Sequence, residues 1–243
     1  MNRDSNLYTF LFATLMVFVV ASVLAFTATS LKDLQAENVR LEKMQNILAT
    51  IGVETNREQA ESLYKQYVVE ELALKNDGTV DTAVDAFTVK LNTELKKDVN
   101  DQRFPLYVAQ VETNTFYIVP LRGAGLWDAI WGYLALLEDN NTIKGAVFDH
   151  KGETAGLGAE ITQKWFQDRF VGEKILDQAG NLKGIAVSKT NNDPNSTDKN
   201  DHEVDAISGA TITGDGVTDM IKERLIHYMP YFKKQSLSMA LNE

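Results

Sequence analysis

From Ser5 to Leu31 no residue carries a charge, and Leu7 to Thr29 is dominated by Leu, Phe, Val, Ala and Met. As a helix rising ~1.5 Å per residue, that stretch reaches about 34 Å, enough to cross a hydrocarbon core. Beyond it, Leu31, Leu34, Leu41, Met44, Leu48 and Ile51 recur at three- and four-residue steps. That period predicts an amphipathic helix continuing from the span and ending at Gly52. Thr55 followed by Glu58 predicts a capping box for a second helix carrying Leu63, Tyr64, Tyr67, Val68 and Leu72. Asn76-Asp77-Gly78 predicts a turn. Asp81 to Asp101 is charged and fits either helix or exposed loop.

The texture changes at Pro105. Leu106 to Glu112 and Thr115 to Leu121 are β-rich runs around Thr113-Asn114, which predicts a hairpin. Tyr133 to Leu137 and Ile143 to Phe148 flank Asp139-Asn140-Asn141 and predict another. Ile161 to Phe170 carries a short helical pattern around Trp165 and Phe166, and Gly184 to Ser188 reads as a further strand. Asn191 to His202 is rich in Asn, Asp and Ser and reads as a mobile loop. Val217, Met220, Ile221, Leu225 and Met229 predict a closing helix ending near Pro230. The expected class is α+β: one N-terminal transmembrane helix, then an antiparallel-sheet domain flanked by helices. The expected divisions are an anchor over 1–30, a juxtamembrane helical region over 31–100, and the main domain over 101–243.

Composition narrows the function. The 243 residues carry a formal net charge of -10, which argues against nucleic acid, whose phosphates demand a basic footprint. There is no cysteine, which excludes disulfides, thiolate metal sites and cysteine nucleophiles. The three histidines show no metal-ligand spacing, and His202 and His227 read as solvated. No Ser-His-Asp order with a nucleophile elbow is present, so neither a metal nor a catalytic acid–base set is expected. A cleaved signal peptide would have a shorter apolar run and a better site than Ala28-Thr29-Ser30, so the span reads as a retained anchor. Arg3 precedes it while Lys32, Arg40 and Lys43 follow, and that charge bias leaves its orientation open.

Three short segments can carry chemistry. Ser208-Gly209-Ala210-Thr211 stands between Asp205 and a helix, and its small residues let a bulky partner approach the backbone. The Thr211 hydroxyl can carry a phosphoester, with the helix N-terminus aimed at the phosphate. His150-Lys151-Gly152-Glu153-Thr154-Ala155-Gly156-Leu157-Gly158-Ala159 can turn tightly against a flat ligand, with Thr154 as a hydrogen-bond donor. Gly123-Ala124-Gly125-Leu126-Trp127 can set apolar surface against an aromatic ring system. Trp127 and Trp131 packed in the core are the plainer alternative.

The run Asp205 to Thr211 resembles the flavinylation motif of the FMN-binding domain family, in which FMN is attached through its phosphate to the final Thr. The second segment resembles that family's H-x-x-E-T-P-G-L-G-A stretch, with Ala155 in place of the usual proline. The G-x-G-L-W segment, followed by G-x-x-A-L, is similar to the NqrC family of Na+-translocating NADH:quinone oxidoreductases. The resemblance implies covalent FMN on Thr211, with Ser208, Gly209, Ala210, Ile212 and Thr213 near its phosphate and ribityl chain. It implies Leu126, Trp127, Glu153, Thr154, Leu157 and Gly158 near the ring, and Asp205 as part of the motif read by a metal-dependent flavin transferase. It further implies an electron-transfer subunit of a sodium-pumping complex, partnered by that complex's A, B, D, E and F subunits. The soluble domain would lie on the periplasmic side of a bacterial inner membrane. The alternatives are the RnfG-type flavoprotein of Rnf electron-transport complexes and a membrane-tethered binding domain without a redox group.

Overall fold

The computed structural model describes residues 5–189, 193 and 197–240. Part of the polar loop expected over 191–202 therefore lies outside the described residues. The chain divides into two compact units, Met1–Lys43 and Met44–Glu243. One helix, α1, runs over Asn6–Thr50 and stops before Gly52, whose φ of +85° is a left-handed conformation that glycine adopts freely. Its N-terminal part exposes Leu7, Phe10, Leu11, Phe12, Leu15 and further apolar side chains. It is long and apolar enough to cross a membrane.

Within the second unit, α2 covers Arg57–Tyr67. Its N-cap is Asn56, not Thr55: the Asn56 Oδ1 accepts from the Gln59 backbone N–H at 3.0 Å. The helix also ends earlier than its apolar period implied. Val68 and Val69 are β-branched, and Val68–Leu74 forms strand β1 instead. Asn76-Asp77-Gly78 makes the expected turn, with Asp77 Oδ1 accepting from the Thr79 N–H. Residues 81–101 settle mostly as irregular chain, with one helical turn, α3 (Leu91–Glu94), and single 3-10 turns.

Four more strands follow: β2 (Phe104–Val111), β3 (Asn114–Ala124), β4 (Ala129–Leu136) and β5 (Ile143–His150). With β1 they make a 5-stranded antiparallel meander in sequence order. The first hairpin turns at Glu112-Thr113, one residue before the expected pair, with Val111 opposite Asn114. Glu112 takes the left-handed backbone there, at φ 56°. A further hairpin joins β3 to β4, with Ala124 opposite Ala129 and residues 125–128 as its loop. The glycines around Leu126-Trp127 therefore belong to a hairpin loop. A helical turn, α4 (Lys164–Gln167), sits between 3-10 turns. β6 (Ala186–Ser188) pairs in parallel with β7 (Glu203–Asp205).

α5 (Thr211–Leu225) lies along one sheet face, burying Val217, Met220, Ile221 and Leu225 against Val119, Leu121, Ile130 and Leu134. Gly216 lets it approach closely, because a Cβ there would collide with the Ala124 carbonyl oxygen. Pro230 does not end a helix. It sits in the first turn of α6 (Met229–Ala240), where its missing N–H costs nothing. The opposite sheet face is covered through edge contacts of Tyr64 with Phe87 and of Phe87 with Tyr107. Residues 44–100, grouped by sequence with the juxtamembrane helices, thus fold into the same unit as the sheet. Two histidines are less solvated than their surroundings implied. His202 Nδ1 lies 2.6 Å from the Lys174 carbonyl, and His227 stacks on Phe104 at 4.2 Å, where burial lowers its pKa.

Candidate functional site

α5 starts at Thr211 because the chain before it leaves helical geometry: Gly209 has φ +74° and Ala210 has ψ 34°. Among the described residues no side chain caps this start. The N–H groups of the first turn and the positive dipole end therefore point into the space before Thr211. Thr211 is exposed and Ile212 is 58% exposed, whereas Thr213 is buried.

A cavity of about 190 Å³ opens at this point. Gly209, Ala210, Thr211, Ile212 and Thr213 line it from the helix start. Glu153, Thr154, Leu157 and Gly158 line it from the loop after β5, and Leu126 from the β3–β4 loop. Leu126, Leu157 and Ile212 are each at least 40% exposed, so the mouth is apolar. Trp127 extends this rim, 69% exposed, with its indole Nε1 donating to the Thr154 Oγ at 3.1 Å. Trp127 is therefore no core residue. A larger and more apolar cavity, about 340 Å³, lies between α6 and the 139–140 turn. None of the motif residues lines it.

Glu153 ties the segments together. Its Oε2 accepts from the Thr213 hydroxyl at 2.6 Å, and its Oε1 from the Trp127 backbone N–H at 3.0 Å. Its own N–H donates to His150 Nδ1 at 3.1 Å, which ties the loop back to the end of β5. Burial alone would raise the carboxyl pKa. The Thr213 hydroxyl and the N–H groups of Trp127, Leu126 and Asp128 outweigh it and hold the pKa below its usual value.

The structure does not bring every expected residue into the cavity. Ser208 is exposed but outside its lining. Asp205 is buried at the end of β7, where its backbone oxygen accepts from Arg169 Nη1 at 2.8 Å. Its carboxylate lies 4.0 Å from the same guanidinium. The pairing of Thr213 with Glu153 across 60 residues was not visible in sequence, since neither residue advertises its partner.

The FMN-binding domain family matches residues 125–225, from the β3–β4 loop to the last residue of α5, and so includes Gly125-Leu126-Trp127 and the whole of the other two segments. The C subunit of the Na(+)-translocating NADH-quinone reductase of Pseudomonas aeruginosa is 30% identical over 240 residues, covering 90% of this chain and 91% of that protein. A crystal structure of the corresponding C subunit from Parabacteroides distasonis superposes with a TM-score of 0.75 at 36% identity, covering 83% of this chain and 96% of that one. NqrC of Shewanella oneidensis superposes with a TM-score of 0.68 at 25% identity, covering 81% and 96%. These relatives favour the NqrC resemblance over the Rnf-type alternative. With the three segments gathered at one cavity and the likeness running along most of the chain, the chain belongs to the NqrC family, the C subunits of the Na+-translocating NADH-quinone reductases.

Proposed function

We propose that this chain is the membrane-anchored flavoprotein subunit of a Na+-translocating NADH-quinone reductase, carrying FMN in phosphoester linkage to Thr211. The observation that carries the reading is the meeting of the three segments at one cavity beside an uncapped helix start whose first residue is an exposed threonine. The residues present fit such a group. Leu126, Trp127 and Leu157 offer apolar surface to a flat ring, and the first turn of α5 offers N–H groups and dipole to a phosphate. Thr213 is the nearby rival for attachment, but it is buried with its hydroxyl engaged by Glu153, which supports Thr211.

Flavin, when bound, supplies reversible electron transfer, and the protein sets its place and surroundings. No acid–base group is needed for that role. The cavity of about 190 Å³ falls below the roughly 300–1,000 Å³ of sites that enclose a ligand. A flavin held there would be only partly enclosed, bordered by Leu126, Leu157 and Ile212, each at least 40% exposed. In this reading the A, B, D, E and F subunits carry NADH oxidation, quinone reduction and sodium passage, and this chain alone turns over neither NADH nor quinone. A flavin transferase attaches the FMN, reading Asp205 within its motif. The domain lies on the periplasmic side of the bacterial inner membrane, where a covalent link retains a cofactor that cannot easily be resupplied.

Flavin fluorescence of the denatured native protein on a gel, with mass spectrometry of its peptides, tests this directly. A fluorescent band and an FMN-bearing peptide containing Thr211 are expected. A colourless, non-fluorescent protein from cells that assemble the active complex overturns the proposal.

A further inference from the structure

The Glu153 carboxylate is where the three segments physically meet. A Cβ built on Gly125 would stand 2.5 Å from its Oε1. One built on Gly158 would stand 2.5 Å from both its Oε2 and the Thr213 Oγ. Neither distance is tolerable for a real side chain, so each glycine leaves space for the carboxylate itself. Gly125 belongs to the β3–β4 loop and Gly158 to the loop after β5, while Thr213 belongs to α5. Glu153 is 8% exposed as a residue, and both its carboxylate oxygens accept from the protein. A buried carboxylate so supplied with donors stays ionised and resists displacement.

Resting on the flavin reading above, we propose that Glu153 is a positioning residue. Its carboxylate, seated between Gly125 and Gly158, fixes the Leu126-Trp127 turn against the first turn of α5 and stands as a permanent negative charge in the wall of the flavin pocket. The two consequences separate. The mechanical one concerns the Leu126 to Asp128 loop, whose N–H groups converge on the carboxylate. Without that anion they lose the acceptor they share, and the loop loosens. The electrostatic one concerns any flavin held in the cavity. A fixed negative charge in a partly desolvated wall opposes added electrons, so Glu153 keeps the midpoint potential low.

The experiment uses the full chain in detergent and two measurements. Hydrogen exchange of the 125–128 amides is followed in flavin-free Thr211→Ala protein. The flavin midpoint potential is followed across pH in otherwise wild-type protein. Glu153→Gln should speed the 125–128 exchange at least tenfold and raise the midpoint potential, with covalent flavin still on the denatured band. Glu153→Asp should recover the potential more fully than the exchange, because it keeps the charge on a shorter arm. Should Glu153→Gln fail to fold, Thr213→Val removes one donor while leaving Glu153 in place. It should speed the same exchange by a smaller factor. Unchanged exchange in whichever of these variants folds overturns the mechanical role, and a folded Glu153→Gln with the wild-type potential overturns the electrostatic one. Absence of flavin from the wild-type chain would instead sink the flavin reading, leaving the exchange result to judge Glu153 by itself.

Discussion

Thr211 and Thr213 open the same helix from opposite sides: Thr211 is exposed at the cavity, while Thr213 is 1% exposed with its hydroxyl on Glu153. One hydroxyl is available for modification and the other is structural. Thr211→Ala is expected to abolish flavin fluorescence in the denatured band. Compared with wild-type chain that has not been flavinylated, its unfolding free energy should stay within about 0.5 kcal/mol, as for an ordinary exposed site. Thr211→Ser should retain some attachment, since the linkage needs only a hydroxyl. Thr213→Val should keep its flavin but lose about 1–3 kcal/mol, the cost of removing one partner from a buried hydrogen bond. Covalent FMN persisting in Thr211→Ala, or an FMN-peptide mapped to Thr213, would reverse these roles.

Gly158→Val is expected to perturb the pocket from within. Its Cβ would reach 2.5 Å from the Glu153 and Thr213 oxygens, so the Glu153–Thr213 hydrogen bond must yield before any ligand is touched. Overpacking of this kind costs about 1–3 kcal/mol. Thermal unfolding should show that loss, and the flavin spectrum should shift while covalent attachment survives. A folded variant with wild-type stability and an unaltered spectrum would count against this packing.

Local signals in the sequence carried the site further than they carried the fold. Each segment was legible because its chemistry is written in consecutive residues: small residues before Thr211, glycines around Leu157, and the Leu126-Trp127 pair. Their convergence was expected only through the family resemblance, and what holds it was hidden, because Glu153 reaches both Trp127 and Thr213 from a different loop. Asp205 shows the reverse case: it opens the motif in sequence, yet is buried beside Arg169. Among the elements, α1 was clear from an uninterrupted apolar run. β1 was hidden because Val68 and Leu72 satisfy a helical period as well as a strand. Only pairing with β2, in which Leu72 faces Leu106, decides between them. Residues 125–128 read as a glycine-rich turn, but the length of the strands on either side depends on cross-strand pairs such as Leu121 with Gly132.

Alkaline phosphatase fused after residue 60 should be enzymatically active, and a cytoplasmic reporter at that position should be inactive. The basis is the retained apolar helix together with the periplasmic placement proposed above. An active cytoplasmic reporter paired with inactive phosphatase would invert the topology. Recovery of mature protein beginning after Ser30 would show that the helix is removed.

Glu173 sets the last expectation, a dependence of stability on pH. Its side chain is fully buried, with Oε1 paired to Lys199 Nζ at 2.9 Å and no hydrogen-bond partner for Oε2 among the described residues. Burial pushes its pKa up to about 7 from an ordinary 4.5, with Asp201 and Asp198 adding to the rise and Lys199 opposing it. Because the folded value lies above the unfolded one, the protonated carboxyl favours the folded state. That contribution is complete below about pH 4.5 and is lost as pH rises through about 7. Integrated over that window it amounts to at most about 3 kcal/mol. Glu173→Gln keeps the neutral shape at every pH, and Lys199, one-third exposed, can turn to water. The melting temperature of Glu173→Gln relative to wild type should therefore climb between pH 5 and pH 8, chiefly because the wild type weakens. Thermal unfolding of the full chain in detergent at both pH values measures this. An offset that is the same at pH 5 and pH 8 would mean that Glu173 does not change protonation across that range.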